Sequence, residues 1–149
     1  MTRATLQMRA LSKRLIAHEA RGSRSSATES ALTFSVCEKL RPHLATLVGN
    51  AGFHALLSRS LALASAETPW LRTVEVRLNG SLEAPKKLRS QVASDELREG
   101  KVVLLAHLLG LLVAFIGENL TLRLVHEIWP GVPLDDFNSG RGDENAKTK

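Results

Sequence analysis

Two ionisable side chains stand out in and beside the most apolar stretch of the chain, His107 and Glu118. A buried carboxylate paired with a histidine can act as a general base. On one straight helix the two side chains share a face but lie ~16 Å apart along the axis, so they cannot hydrogen-bond within one chain. In an antiparallel dimer they could meet as two symmetric pairs. The alternative is a histidine that bonds a buried carbonyl and a glutamate at the rim, and neither arrangement identifies a substrate.

The other candidate chemical groups are scattered along the chain. The remaining histidines lie in no spacing typical of a metal site, so neither a metal nor a cofactor is predicted; they are His18, His43, His54 and His126. Cys37 has apolar neighbours, which favours a buried structural thiol over a nucleophile activated by a nearby histidine. Phosphate-binding glycine loops and the GxSxG motif are absent from the sequence, so nothing in it supports nucleotide binding or a serine hydrolase.

Small and polar residues recur on one side of the same predicted helix. Spacings of three, four, seven and eleven return to the same helical face, and small residues there let a second backbone approach closely. Two interpretations remain open, packing of this face within the chain and a homodimer seam along it. The interface candidates are Ala106, His107, Gly110, Ala114, Gly117, Glu118 and Thr121.

The stretch that carries this face is apolar on every side. Residues 102–117 read VVLLAHLLGLLVAFIG, and a helix that is apolar all round is buried in protein or in lipid. A bilayer span needs about 20 apolar residues, whereas this run is bounded by Lys101 and Glu118. The sequence therefore favours a central helix of a soluble protein, hidden by protein on all sides, over a membrane span.

Apolar spacing predicts the elements that surround this helix. Helices are expected over residues 3–20, from Thr28 or Ser30 to Val48 with Gly49-Asn50 as the signal that ends it, and over 52–66. A last helix is expected from Ser94 to Trp129, unless Gly100 divides it into a short turn and a helix from Lys101. Alternating apolar residues before Asn79-Gly80 predict a small β-hairpin near residues 73–83. The predicted fold class is mostly α, a four- to five-helix bundle around one long apolar C-terminal helix.

Charge and composition divide the chain into three parts. The net charge of +5 arises entirely within residues 1–24, where six cations face Glu19 alone. We therefore predict a basic N-terminal arm with a Ser-rich linker over 1–27, a helical domain over 28–132 and a disordered polar tail over 133–149. Because the body is neutral, no nucleic-acid partner is expected. The cations of the basic arm are Arg3, Arg9, Lys13, Arg14, Arg21 and Arg24.

The C-terminal part resembles an uncharacterised family of small bacterial proteins. The resemblance rests on Leu108–Val113 through Phe115–Glu118, on Leu120–Val125 and on Trp129-Pro130, and extends more weakly from Ala51-Gly52-Phe53 to Pro69-Trp70-Leu71. It covers about two thirds of the chain. It implies a bacterial cytosolic origin and brings no activity or ligand.

Three functional hypotheses follow from these observations. The first is a non-enzymatic interaction protein of the cytoplasm that binds itself or another protein, a location that the single cysteine also favours. The second is a peripheral membrane protein in which the basic arm lies on anionic lipid and the apolar helix inserts or oligomerises. The third is a small enzyme with a buried His/Glu pair, which would need a polar cavity lined by His107 or Glu118.

Overall fold

The computed structural model describes residues 6–22, 35–77, 82–85, 87 and 91–132. This part of the chain is mostly α-helical, which confirms the predicted fold class, and holds four helices and one two-stranded antiparallel sheet. Helix α1 spans Leu6–Gly22, α2 Ser35–Glu67, α3 Ser94–Ile116 and α4 Glu118–Ile128. A short 3₁₀ helix over Pro69–Thr73 follows α2 and leads into strands β1 (Glu75–Val76) and β2 (Leu82–Glu83).

Helix α1 is part of the core. Met8, Leu11 and Leu15 form one buried face of α1, which packs mainly on α3. An isolated helix of 17 residues with so thin an apolar face is marginal in water, so α3 supplies the surface that keeps it folded. Residues 6–22 therefore belong to the helical body, which corrects the expectation of an arm outside a domain beginning at 28. The tail predicted over 133–149 and the linker residues 23–27 lie outside the described residues.

Helix α3 is the centre of the bundle along residues 102–112. Residues 102–106, 108, 109 and 112 are buried, and α1, α2 and α4 all pack against this helix. Beyond Leu112 the covering ends, since Ala114 and Phe115 are exposed and Ile116 is half-buried. The expectation of burial on every side is thus wrong for the C-terminal end of α3, where apolar residues face outward.

Gly117 interrupts the helix that the sequence predicted to run on to Trp129. Its backbone has φ 95° and ψ 156°, a combination that is essentially open to glycine alone. The Gly117 N–H donates to the Val113 carbonyl at 2.9 Å, which ends α3. The Gly117 carbonyl then accepts the Thr121 N–H at 3.1 Å and the Thr121 hydroxyl at 2.8 Å, which starts α4 in a new direction.

Gly49 makes a similar break inside α2. It has φ 84° and ψ 162°, and helical structure resumes at once on either side. The sequence placed the end of one helix at Gly49-Asn50 and a new helix from about residue 52, which agrees with the position of this break. Pro42 lies within the first segment, and the Thr46 hydroxyl donates to the Pro42 carbonyl at 3.0 Å.

The predicted hairpin is present, with a longer connection than Asn79-Gly80 suggested. The strands pair antiparallel, Glu75 with Glu83 and Val76 with Leu82. A two-residue turn at Asn79-Gly80 would instead place Val76 opposite Glu83. The observed register leaves an odd number of residues, 77–81, between the strands, and of these 78–81 lie outside the described residues.

The 3₁₀ helix is attached to α3 through Trp70. The Trp70 Nε1–H donates to the Glu96 carbonyl at 3.1 Å. The indole lies against Gly100, where a methyl group would stand 2.7 Å from Trp70 Cε2 and closer still to Cζ2. Glycine is required at position 100 because the ring occupies the space of a side chain.

Candidate interaction surface

The structure separates the residues of the predicted small-residue seam. Ala106 is buried inside the chain, whereas Gly110 is half-buried and Ala114 and Gly117 are exposed. Thr121 is buried in α4, and Glu118 is half-buried in its first turn. Because the backbone changes direction at Gly117, these residues do not form one continuous face. Of the predicted seam, only Ala114 and Gly117 at the end of α3 are exposed, and the homodimer seam itself stays a prediction.

His107 pairs with a carboxylate other than the predicted one. Its Nε2 lies 2.7 Å from Oε2 of Glu67, the last residue of α2. The other oxygen of Glu67 binds the Arg9 guanidinium of α1. Glu67 thus joins α1, α2 and α3, and the pair of His107 with Glu118 across a dimer stays a prediction. Both Glu67 oxygens are engaged, so this arrangement ties three helices together.

The Glu67 carboxyl makes stability depend on pH. The Arg9 hydrogen bond lowers the pKa of Glu67 below its usual value, with a further lowering from the His107 hydrogen bond and an opposing effect of burial. Because the pKa of Glu67 is lower in the folded than in the unfolded protein, the ionised carboxylate stabilises the fold at pH values above the unfolded-state pKa. This stabilisation is lost as the pH falls through the folded-state pKa. Glu67→Gln is therefore expected to lower the free energy of unfolding at pH 7, by an amount that shrinks as the pH falls through the folded-state pKa of Glu67.

The measurement is urea unfolding at several pH values between 3 and 7. Arg9→Gln is the matched control, since it removes the main cause of the lowered pKa. The cost of Glu67→Gln at pH 7 should shrink in the Arg9→Gln background, because partners in one ion pair are not additive. A cost that is the same at all pH values would contradict the assigned role of Glu67.

Three large apolar side chains of the described residues are exposed to solvent. Phe115 is 65% exposed, Leu47 48% and Leu120 40%. Leu47 and Leu120 lie in one groove, and Phe115 precedes Leu120 by five residues, which limits their Cα separation to about 18 Å. Scattered exposed leucines are ordinary, but several large apolar groups on one region of a surface mark an interaction site.

The groove lies between the first segment of α2 and helix α4, and we call it the α2–α4 groove. Its α2 wall consists of Pro42, His43, Thr46 and Leu47. Its α4 wall consists of Leu120, Arg123, Leu124 and Glu127. It has a volume of about 460 Å³ and is partly open to solvent. Both walls follow helical spacing, so the groove runs along two adjacent helices and leucines supply its apolar part.

A second groove lies beside the hairpin. It is a shallow shelf of about 480 Å³ between the second segment of α2 and the residues that lead into β1, with His54, Ser58 and Arg72 at its polar side. Neither groove contains His107 or Glu118. The polar cavity that a His/Glu enzyme would need is therefore not found at these two places.

The cations that the sequence assigned to a basic arm differ from one another in exposure and in bonding partners. Arg9 is bound to Glu67, Lys13 is exposed and Arg14 is half-buried. Arg3, Arg24 and the side chain of Arg21 lie outside the described residues. The single acid of this region, Glu19, binds Lys39 of α2 at 2.6 Å and accepts the Trp129 indole N–H at 2.8 Å. Helix α1 therefore uses its charges to dock on the bundle.

Cys37 is buried, as predicted, and burial raises the pKa of its thiol to about 12. The thiol is protonated at neutral pH, and a protonated thiol is a poor nucleophile. Burial likewise lowers the pKa of Lys101 to about 8, with a smaller contribution from Arg98. Over the described residues, no three His, Cys, Asp or Glu side chains lie close enough to hold a metal ion.

The stretch Asp95–Ile116 is long and apolar enough to cross a membrane, although half of its most apolar part is buried inside the chain. The core helix of a soluble protein satisfies the same criterion, so this is weak evidence for a span. No family model, curated protein or solved structure matches the chain. The resemblance to small bacterial proteins, with the cytosolic origin that it implies, stays a prediction.

Proposed function

We propose that this chain is a non-enzymatic helical interaction protein that associates with a second copy of itself. The observation that carries the proposal is Phe115, 65% exposed at the end of an otherwise core-forming helix. A phenylalanine presents on the order of 200 Å² of surface. Covering the exposed part would remove about 130 Å² of apolar area from water in each copy, a gain of about 3 kcal/mol.

The surroundings of Phe115 support contact with protein. Ala114 beside it is exposed and small, and Gly110 one turn earlier is half-buried, so another backbone can approach this end of α3 closely. Leu120 extends the apolar surface into α4. In contrast, the His107–Glu67 pair is engaged with Arg9 and binds three helices together, which supports a structural role better than a catalytic one.

Phe115→Asp is expected to weaken self-association by about 100-fold or more, equal to about 2.7 kcal/mol, because a carboxylate would have to be buried at the contact. Sedimentation velocity and light scattering over a concentration series measure the dimer dissociation constant. Ala55→Asp, at an exposed position of α2, adds the same charge elsewhere and should leave the constant unchanged. A wild-type chain that stays monomeric at its highest soluble concentration would contradict the proposal.

A second candidate function is association with a membrane, and the apolar length of Asp95–Ile116 is the observation that favours it. The position of α1 counts against it, because the apolar face of this basic helix is already packed on α3. Flotation of the full chain with neutral and with anionic vesicles separates the two functions. Self-association predicts that the protein stays at the bottom of the gradient with both, whereas membrane association predicts that it rises with anionic lipid.

A further inference from the structure

The α4 wall of the α2–α4 groove carries one charge of each sign. Arg123 and Glu127 lie four residues apart, one helical turn, and both are exposed. No ion pair joins these two side chains, although a glutamate that follows an arginine by one turn lies within its reach. The apolar part of the groove consists of Leu47 on the α2 wall and Leu120 and Leu124 on the α4 wall. The groove therefore combines an apolar strip with a cation and an anion at its edge that form no ion pair with any residue the structure describes.

A surface of this kind is complementary to itself. In a dimer with a two-fold axis the same patch is used by both copies, and a contact from residue i to residue j is repeated from j to i. Two α4 helices that cross antiparallel would bring each arginine toward the other copy's glutamate, while the leucines of the two strips face one another. A partner of one charge sign would meet repulsion from one of the two residues.

We infer that the α2–α4 groove is the surface that a second copy of the chain covers, with Arg123 of each copy paired to the partner's Glu127. This inference rests on the self-association proposed above and specifies its geometry. Leu47 and Leu120, 48% and 40% exposed, become the apolar centre of the contact. Phe115 does not line the groove but lies within about 18 Å of Leu120 along the chain.

The dimensions of the groove fit a helix better than a small molecule. Small-ligand sites enclose most of the ligand surface, whereas this groove is partly open to solvent. Its walls extend over about two helical turns, from Pro42 to Leu47 and from Leu120 to Glu127. Apolar residues at such spacing are the usual receptor for the face of another helix.

Charge reversal tests the reciprocal pairing. R123E and E127R each place two like charges on both copies, so each variant alone is expected to raise the dimer dissociation constant about tenfold or more. A one-to-one mixture of the two variants should form a heterodimer of nearly wild-type affinity, because every pair across the axis is then again of opposite sign. The double variant R123E/E127R, which keeps the net charge of the chain, should likewise dimerise. Sedimentation velocity measures all four samples.

Arg59→Glu is the matched control, since Arg59 is exposed on α2 and lies in neither groove. It changes the net charge as R123E does and should leave dimerisation unchanged. Circular dichroism and thermal unfolding verify that each variant is folded, and R123Q and E127Q serve if a reversed variant is not.

The outcomes distinguish this inference from the proposed function. If the wild type dimerises and neither R123E nor E127R weakens the dimer, the groove is not the contact surface, while self-association stands. If both weaken it and the mixture does not recover, the two-fold pairing is wrong. A monomeric wild type overturns both the inference and the proposed function.

Discussion

Trp129→Ala is expected to lower the free energy of unfolding by about 3–5 kcal/mol, the range found for loss of a large buried aromatic side chain. Trp129 follows the last turn of α4 and is only 1% exposed. Its indole N–H also donates to Glu19 of α1 at 2.8 Å. The substitution therefore opens a cavity in the core and removes a hydrogen bond between the two ends of the described chain.

Urea unfolding followed by far-ultraviolet circular dichroism measures this change. Trp129→Phe is the matched control, because it keeps most of the apolar volume and loses only the donor to Glu19. We expect it to cost about 1.5–3 kcal/mol, the value of one hydrogen bond to a charged group, with a small loss of packing. A change below about 1 kcal/mol for Trp129→Ala would contradict the burial of this side chain.

Gly100→Ala is expected to destabilise the fold by about 1–3 kcal/mol, as overpacking of a filled site does. The expected sign is unusual, because alanine in place of glycine within a helix otherwise stabilises by about 1 kcal/mol. Here the added methyl group would stand against the rigid indole of Trp70, which its bond to the Glu96 carbonyl holds in place. The ring or the helix must move.

A double-mutant cycle with Trp70→Ala isolates this contact. Once the indole is removed, the methyl group at position 100 has room, and Gly100→Ala should become neutral or stabilising relative to Trp70→Ala alone. The coupling between the two substitutions should then exceed about 1 kcal/mol. Equal effects of Gly100→Ala in both backgrounds would show that the ring does not restrict position 100.

The helices could be predicted where their apolar spacing and helix-ending residues lie close together in the sequence. The spacing of Met8, Leu11 and Leu15 identified α1, and the pair Gly49-Asn50 marked the break in α2. Gly110 and Gly117 illustrate the limit of such signals. Both lie in the same apolar run, yet Gly110 continues the helix and Gly117 ends it. Which glycine leaves the helical conformation depends on where α4 packs, and that is a property of the whole fold.

The candidate site was less accessible to sequence reasoning. His107 was identified as the polar group of the apolar helix, but its partner Glu67 lies forty residues earlier, at the end of another helix. Helical spacing finds neighbours within one helix and therefore pointed to Glu118. The α2–α4 groove combines residues from two such distant segments. Its α4 wall, with residues at positions 120, 123, 124 and 127, follows the spacing of a single helical face and was the part that a pattern could have shown.

Each wall of the α2–α4 groove is followed or preceded in the chain by a glycine whose backbone conformation breaks the helix. The α2 wall ends two residues before Gly49, and the α4 wall begins three residues after Gly117. The directions of the two walls therefore depend on glycines with positive φ, 84° at Gly49 and 95° at Gly117. An added Cβ would meet no neighbouring atom at either position, so what excludes other residues there is the strain of the backbone conformation, and the groove owes its form to two backbone torsions as well as to its side chains.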